Sequence, residues 1–406
     1  MDIHKLKGKK IIIYGAGQIG QIAITALKEV AGDYESELIG CAVTSVVRNL
    51  RWLEGLEVHD IDYWVNIDNS FFYLVAVREK YNDQILYELS KRGIESYGFF
   101  SYKECIEQLE KKWEEQGKER YLDFKEHVDR AILTDEDYIL FLSRQLKCGV
   151  LNFEYNLADH CNLNCQCCNH FSPIAEKIFL CCNQLEKDLM RLDTLLGNNN
   201  VGKVMLLGGE PLLHPEINEI IRISRQYLPN ATLDIITNGL MLPKMKNTFW
   251  ESMKDLKVNL KITKYPINFD YGYCEELAKE YGIDFSYGID PEPIKTTYHL
   301  PINDKAVFDP YQMYMKCFHA NQCVVLRQGR LYTCPLAANV HHYNKYFGKE
   351  IPAGEDVSIN LYTATDWKEI EDFLKRPNKM CSHCDIYHYT HDIPWAMSKK
   401  DIAEWT

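Results

Sequence analysis

Apolar positions in the first hundred residues fall in short runs separated by amphipathic stretches. Lys10 to Tyr14 reads as a buried strand, followed by a glycine turn and a helix of apolar periodicity from Gln21 to Val30. Glu37 to Ser45 predicts a second strand, Ser70 to Val77 a third, Tyr81 to Arg92 an amphipathic helix and Ile94 to Phe100 a further strand. That alternation is the pattern of a small parallel, doubly wound domain over residues 1–104. Charged residues then dominate from Lys103 to Arg130, and residues 105–150 read as a helical connector with a solvated face. From Leu151 the alternation resumes. Strand-like pieces at 152–158, 203–209, 231–239, 258–266 and 284–290 alternate with helical pieces at 183–196, 216–228, 249–256 and 273–282. Repeated strand–helix units predict an α/β fold with a parallel sheet and right-handed crossovers over residues 151–302. Periodicity does not distinguish an open sheet from a partial barrel. After about Asn303 the alternation stops, and a cysteine-rich tail occupies residues 303–406.

Composition narrows the setting. The 406 residues can fill two or three domains, and a formal charge of -12 argues against nucleic acid or an anionic membrane as the main partner. No apolar run approaches the roughly 18–20 residues of a membrane helix, and the opening segment lacks a signal-peptide pattern. These features predict a cytoplasmic protein, in which 15 cysteines call for an explanation other than disulfides. Their distribution points to two metal sites, one between Cys161 and Cys182 and one between Cys317 and Cys384.

The first group contains Cys161, Cys165 and Cys168 in a CxxxCxxC spacing directly after the strand at 152–158. Three thiolates in eight residues can wrap one face of an iron–sulfur cube and leave the fourth iron open, although a zinc site completed by His170 fits the spacing as well. Two further motifs bear on that choice. Gly208-Gly209-Glu210-Pro211 closes the second strand of this region, and Thr237-Asn238-Gly239 closes the third. Strand C-termini are where α/β enzymes build their sites.

Taken together, these motifs resemble the radical S-adenosylmethionine (SAM) superfamily. The resemblance implies a partial (β/α)6 barrel with the cluster loop after its first strand, and Cys161, Cys165 and Cys168 as ligands of a 4Fe-4S cluster. It implies that Gly208, Gly209, Glu210 and Pro211 meet the SAM amino group, with Thr237 and Asn238 beside the cofactor. The expected chemistry is reductive cleavage of SAM to a 5′-deoxyadenosyl radical, with an electron donor such as flavodoxin or ferredoxin. One position departs from the family pattern, since an aromatic residue usually precedes the third cysteine and here it is Cys167. Cys167, Cys181 and Cys182 read as packed or free thiols.

In the tail, Cys317, Gly329 and Cys334 resemble the opening of the auxiliary-cluster domains called SPASM and twitch, with Gln328-Gly329-Arg330 turning a β-hairpin. Cys381 and Cys384 form a CxxC pair, and no cysteine follows. The resemblance implies a second, auxiliary 4Fe-4S cluster held by Cys317, Cys334, Cys381 and Cys384; a four-cysteine zinc ribbon is the structural alternative. Cys323 is left over. It reads as a buried thiol, as a substitute for Cys317, or as a catalytic hydrogen donor to a substrate radical.

Near the N-terminus Gly15, Gly17 and Gly20 form a GxGxxG turn between strand and helix, the setting that gives this motif meaning. The second strand ends in Val43-Thr44-Ser45 where an NAD site expects an acidic residue, so a phosphate-bearing ligand other than NAD is expected. The segment resembles Rossmann-like domains at the N-termini of sugar acetyltransferases and other glycan-assembly proteins. With one auxiliary cluster, that likeness favours oxidation or epimerisation at a carbinol carbon of a sugar, polyol or nucleotide-sugar substrate. Radical modification of a ribosomally made peptide is the alternative, and a non-catalytic iron–sulfur carrier or sensor is a reading of a different class.

Overall fold

The computed structural model describes residues 3–30, 35–45, 52–77, 81–101, 111, 115, 151–197, 200–288, 293, 296–320 and 322–406. The chain divides into two compact units, residues 1–148 and 149–406. The connector expected over 105–150 lies almost wholly outside the described residues. No helix among the described residues is long and apolar enough to cross a membrane.

The first unit carries β1 (Lys10–Tyr14), α1 (Gln18–Val30), β2 (Glu37–Val43), β3 (Trp52–Leu53), β4 (Leu56–Asp60), α2 (Ile61–Ile67), β5 (Phe72–Val75), α3 (Asn82–Lys91) and β6 (Tyr97–Phe99). They form one sheet in the order β3-β4-β2-β1-β5-β6, parallel except for the β3–β4 pair. Ile11, Ile13, Leu74 and Cys41 pack with α1 on one face. Ile12, Tyr14, Tyr73 and Val75 pack with Trp64, Ile85 and Leu89 on the other. Burial on both faces explains why the central strands are almost wholly apolar. The short β3–β4 ribbon and α2 carry no strong periodicity, and the sequence pattern passes over them.

The second unit opens with β7 (Leu151–Ala158), α4 (Cys182–Leu196), β8 (Val201–Gly208), α5 (Ile217–Tyr227), β9 (Thr232–Thr237), α6 (Asn247–Asp255), β10 (Val258–Ile262), α7 (Tyr271–Tyr281) and β11 (Phe285–Tyr287). The five strands are parallel and lie side by side in chain order. Leu185, Leu189 and Leu192 of α4 and Ile217, Ile220 and Ile221 of α5 seal one face of the sheet with Phe249 and Trp250 of α6. β12 (Thr296–His299), α8 (Pro310–Lys316), β13 (Val325–Arg327), β14 (Arg330–Tyr332), α9 (Pro335–Phe347), β15 (Ser358–Asn360) and β16 (Thr390–Pro394) follow. The first tail strands join the same sheet. β13 adds in parallel to the open edge of β7, and β14 and β15 extend the same sheet, giving the order β11-β10-β9-β8-β7-β13-β14-β15. The free edge of β7 carries unpaired main-chain groups, and the hairpin satisfies them.

The hairpin turn is the predicted one. Gln328 (φ 48°) and Gly329 (φ 72°) both adopt left-handed conformations, as a two-residue turn requires. Asp188 of α4 fixes this turn to the sheet. Its carboxylate is wholly buried and accepts from the Gly329 N–H (2.9 Å), the Tyr155 hydroxyl (2.7 Å), the Tyr362 hydroxyl (2.6 Å) and Gln184 Nε2 (2.7 Å). Removing the acceptor strands several buried donors, each worth about 1–3 kcal/mol. Asp188→Ala is therefore expected to lower the thermal unfolding midpoint by several degrees, by about 3 kcal/mol of stability or more, while Asp193→Ala on the outer side of the same helix leaves it nearly unchanged. Equal midpoints for the two variants in differential scanning calorimetry contradict this role.

Candidate active site

Three strand ends build the centre of the site. β7 ends at Ala158, β8 at Gly208 and β9 at Thr237, side by side in the sheet. The Gly209 N–H donates to the Ala158 carbonyl (2.7 Å) and the Glu210 N–H to the His160 carbonyl (3.1 Å). A Cβ on Gly209 would stand 2.2 Å from the His160 oxygen, so only glycine permits this approach. Glu210 is 1% exposed, and its carboxylate accepts from the Thr237 hydroxyl (2.6 Å), the Asn238 N–H (3.0 Å) and the Leu212 N–H (3.0 Å). Burial pushes this carboxyl up to about 7 against the pull of those donors. These three donors tie the turn after β8 to the end of β9. Pro211 begins the short helical turn that Glu210 caps. Asn238 then reaches into the cysteine loop, donating through Nδ2 to Asn162 Oδ1 (2.7 Å) with Cys161 Sγ 3.7 Å away.

Cys161, Cys165 and Cys168 face one another in that loop. Burial pushes the Cys161 thiol up to about 11, with Glu210 and Cys168 adding to the effect. The Cys165 thiol rises to about 12 for the same first reason, with Cys168 and Cys161 beside it. A cation bound beside Cys161 and Cys165 would favour their thiolates, which is the chemistry of a metal or iron–sulfur ligand set. Cys167 is also buried, in a left-handed backbone position (φ 56°). Cys181 is exposed and precedes α4, and Cys182 has Glu216 and Glu219 as its charged neighbours, so neither belongs to the loop.

The C-terminal segment lies along the same loop, a feature no sequence pattern announces. The Gln166 N–H donates to the Ala396 carbonyl (3.0 Å), the Ser398 N–H to the Asn164 carbonyl (2.8 Å), and Cys165 bridges Met397. Trp395 Nε1 donates to Cys165 Sγ (3.2 Å), and Trp405 Nε1 to the Cys168 carbonyl (3.0 Å).

The tail brings Cys317, Cys334, Cys381 and Cys384 together. Cys384 is buried with Cys334, Cys381 and Cys317 around it, which together with burial raises its thiol well above the ordinary value. Burial pushes Cys334 up to about 12, with the Cys317 thiol adding to the effect. Cys323 lies near Cys317 and Cys334 and beside the Glu154 carboxylate, and burial followed by that charge keeps the thiol protonated.

Glu154 belongs to a buried polar group between the two sets of sulfurs. It sits on β7, and its Oε2 lies 3.8 Å from His170 Nε2 with neither atom hydrogen-bonded among the described residues. Asn169 Nδ2 donates to the Tyr298 hydroxyl (3.1 Å) and lies 2.9 Å from His319 Nε2. Burial, with His170 nearby, pushes His319 down to about 3, so its ring is neutral. Tyr298 has Cys323, Cys168 and Glu154 around it, which spans the distance between the two cysteine sets. Sequence reasoning missed this group. Its one legible signal is a carboxylate between Phe153 and Tyr155 in a buried strand. His170, weighed there as a zinc ligand, faces Glu154 instead.

In the first unit the glycine turn forms as expected. The Gly15 N–H donates to the Ala42 carbonyl (2.9 Å), and a Cβ on Gly20 would overlap the Gly15 oxygen at 1.8 Å, so α1 can lie against the turn only with glycine there. Gly17 has open space beside it. At the end of β2 the Thr44 hydroxyl pairs with the Tyr14 hydroxyl (3.1 Å), where an NAD site places a carboxylate.

Comparison with known proteins adds the relatives. No family model matches the chain. It is 35% identical over 103 residues to the GTP 3′,8-cyclase of Chlorobaculum tepidum, covering 25% of this chain and 29% of that one. It is 30% identical over 167 residues to the GTP 3′,8-cyclase of Clostridium acetobutylicum, covering 39% and 51%. A 92-residue stretch is 33% identical to molybdenum cofactor biosynthesis protein 1 of Bos taurus, covering 22% and 14%. The chain thus spans about half the length of these curated relatives, or less. Among solved structures, BtrN in complex with AdoMet and 2-DOIA matches 58% of this chain and 93% of its own at 16% identity and a TM-score of 0.37. The anSMEcpe structure with bound AdoMet matches 34% and 42% at 16% identity and a TM-score of 0.28. Over the matched stretches the chain is similar to these sequence relatives, and its strand-end motifs resemble those of radical SAM enzymes, whose cofactors are SAM and 4Fe-4S clusters.

Proposed function

We propose that this enzyme epimerises a carbinol carbon of a small polar substrate, a sugar, polyol or nucleotide-activated sugar, with Cys323 returning the hydrogen atom. The thiyl radical so formed takes one electron from a flavodoxin- or ferredoxin-type donor and one proton from solvent. In this reading Cys161, Cys165 and Cys168 hold the SAM-binding cluster, and Cys317, Cys334, Cys381 and Cys384 hold the auxiliary one. Bound SAM and its cluster, reduced by a flavodoxin- or ferredoxin-type donor, supply a 5′-deoxyadenosyl radical that removes hydrogen from an unactivated carbon. Gly208, Gly209, Thr237 and Asn238 shape the cofactor pocket, with Glu210 holding its two turns in register.

The observation that carries the reading is the Cys323–Glu154 pair. Cys323 lies beside a carboxylate, and it is held protonated, as a hydrogen donor must be. Glu154 Oε2, His170 Nε2 and His319 Nδ1 are buried without hydrogen-bond partners among the described residues, and hydroxyl groups of a substrate can satisfy them. The Gly15–Gly20 turn we assign to a phosphate-bearing group. That fits a nucleotide-activated substrate and, with Thr44 in place of an acid, disfavours NAD.

Three outcomes test these assignments. Anaerobically reconstituted protein should bind about eight irons as two cubes. Cys161→Ala, Cys165→Ala and Cys168→Ala should each halve that content and abolish 5′-deoxyadenosine formation; undiminished SAM cleavage in all three contradicts the ligand set. In the first unit, calorimetric titration should show a nucleotide sugar binding at least tenfold more tightly than NAD, and the reverse order removes the phosphate-ligand assignment. With a sugar, polyol or nucleotide sugar that triggers SAM cleavage, reaction in deuterated water should place one solvent deuterium on the product carbon. Cys323→Ser should then cleave SAM without forming product. A product two hydrogens lighter and indifferent to Cys323→Ser identifies oxidation instead, and a crosslink in a peptide substrate defeats both.

A further inference from the structure

Cys165 is distinguished from its two companions by what donates to its sulfur. Trp395 Nε1 lies 3.2 Å from Cys165 Sγ, and the Tyr265 hydroxyl donates to the same atom. The two rings stand against each other with centroids 5.7 Å apart. Neither donor is held loosely. Tyr265 is anchored by its main chain, whose N–H donates to the Tyr271 hydroxyl (2.9 Å). Trp395 is carried by the C-terminal segment, which the Gln166–Ala396 and Ser398–Asn164 main-chain bonds fasten to the cysteine loop. The donors therefore come from two directions, one from the loop after β10 and one from a segment 230 residues away in sequence.

We propose that Trp395 and Tyr265 act as positioning residues that set the reduction potential of the SAM-binding cluster by donating two hydrogen bonds to the sulfur of one ligand, Cys165. The inference rests on the assignment of Cys165 as an iron ligand. One-electron reduction adds negative charge that the cluster shares with its sulfur ligands. A hydrogen bond to a ligand sulfur stabilises that charge and makes reduction easier, and solvent exclusion by the C-terminal segment modulates the same balance. Trp395→Phe and Tyr265→Phe each remove one donor and keep the ring. A single hydrogen bond corresponds to roughly a fivefold change in an equilibrium constant.

The test is an anaerobic redox titration of the reconstituted enzyme followed by electron paramagnetic resonance, with the first cluster identified as the signal that changes on adding SAM. Each single variant should retain its iron and show a more negative midpoint, by about fivefold in the reduced-to-oxidised ratio at fixed potential, and the double variant should shift further. Retained iron with a ratio unchanged within twofold in both single variants overturns the proposal. Should either variant lose its cluster, the wild type still decides. Pulsed measurements on the reduced first cluster should show strongly coupled exchangeable protons that vanish in deuterated water, and their absence overturns the proposal without any mutation. Cys165→Ala separates the two levels of the inference. Loss of the SAM-responsive signal upholds the ligand assignment whatever the Phe variants do, while its retention removes that assignment and the proposal with it.

Discussion

A single buried ion pair fixes the distance between the two halves of this site. Asp159, two residues before the first loop cysteine, is 5% exposed and accepts both arms of the Arg327 guanidinium, at 2.6 and 2.7 Å. Burial alone raises a carboxyl, but Arg327 and His342 outweigh it and hold Asp159 well below the ordinary carboxylate range. Arg327 ends β13, between Cys323 and Cys334 in sequence. The pair therefore locks the root of the cysteine loop to the hairpin that carries the second set of sulfurs. A buried pair of this kind contributes little net stability, since desolvation offsets much of its attraction, but breaking one partner is costly. Its value here is positional. With β13 hydrogen-bonded along β7, the geometry between the two cysteine sets belongs to the sheet rather than to a flexible joint between domains.

That arrangement explains where the buried polar group comes from. Glu154 points from β7 while Cys323 precedes β13, and the register of the two strands pairs Glu154 with Val325. A carboxylate inside a buried strand is expensive unless donors meet it. Cys323 meets one side of it, and the other oxygen is left for something the protein does not supply. An isolated core would select against such an atom, whereas a substrate-binding site needs it. The neutral His319, held by Asn169 beside Tyr298, continues the same polar surface toward Cys168.

What the sequence disclosed follows the range of the interaction involved. Strands at 152–158, 203–209 and 231–239, the Gln328–Gly329 turn and the convergence of Cys161, Cys165 and Cys168 depend on local periodicity or on spacing within a few residues, and all are present. Local reasoning ran out in the tail, because nothing in residues 303–406 says that β13 will complete the edge of β7. The same holds for β12, which pairs antiparallel with β16 about ninety residues later, and for Trp395 and Trp405 over the cysteine loop. Glu210 marks a subtler limit. Its presence in a GGE turn was legible, but not that Thr237 and Asn238 would take up its carboxylate.

The consequence reaches the chemistry of Cys165. Two of its neighbours, Cys161 and Cys168, come from the same eight-residue loop, and a peptide with that spacing could gather them. The donors on its sulfur could not come from such a peptide, because Tyr265 requires β10 in place and Trp395 requires the end of the chain folded back over residues 164–166. Trp405 repeats the logic at the Cys168 carbonyl, with its ring packed against Phe171 and Phe347 in the tail core. The electronic environment of the loop is thus built in part from contacts 230 or more residues apart in sequence. A chain truncated before Trp395 would keep every cysteine of both sets and lose the surroundings that distinguish one of them.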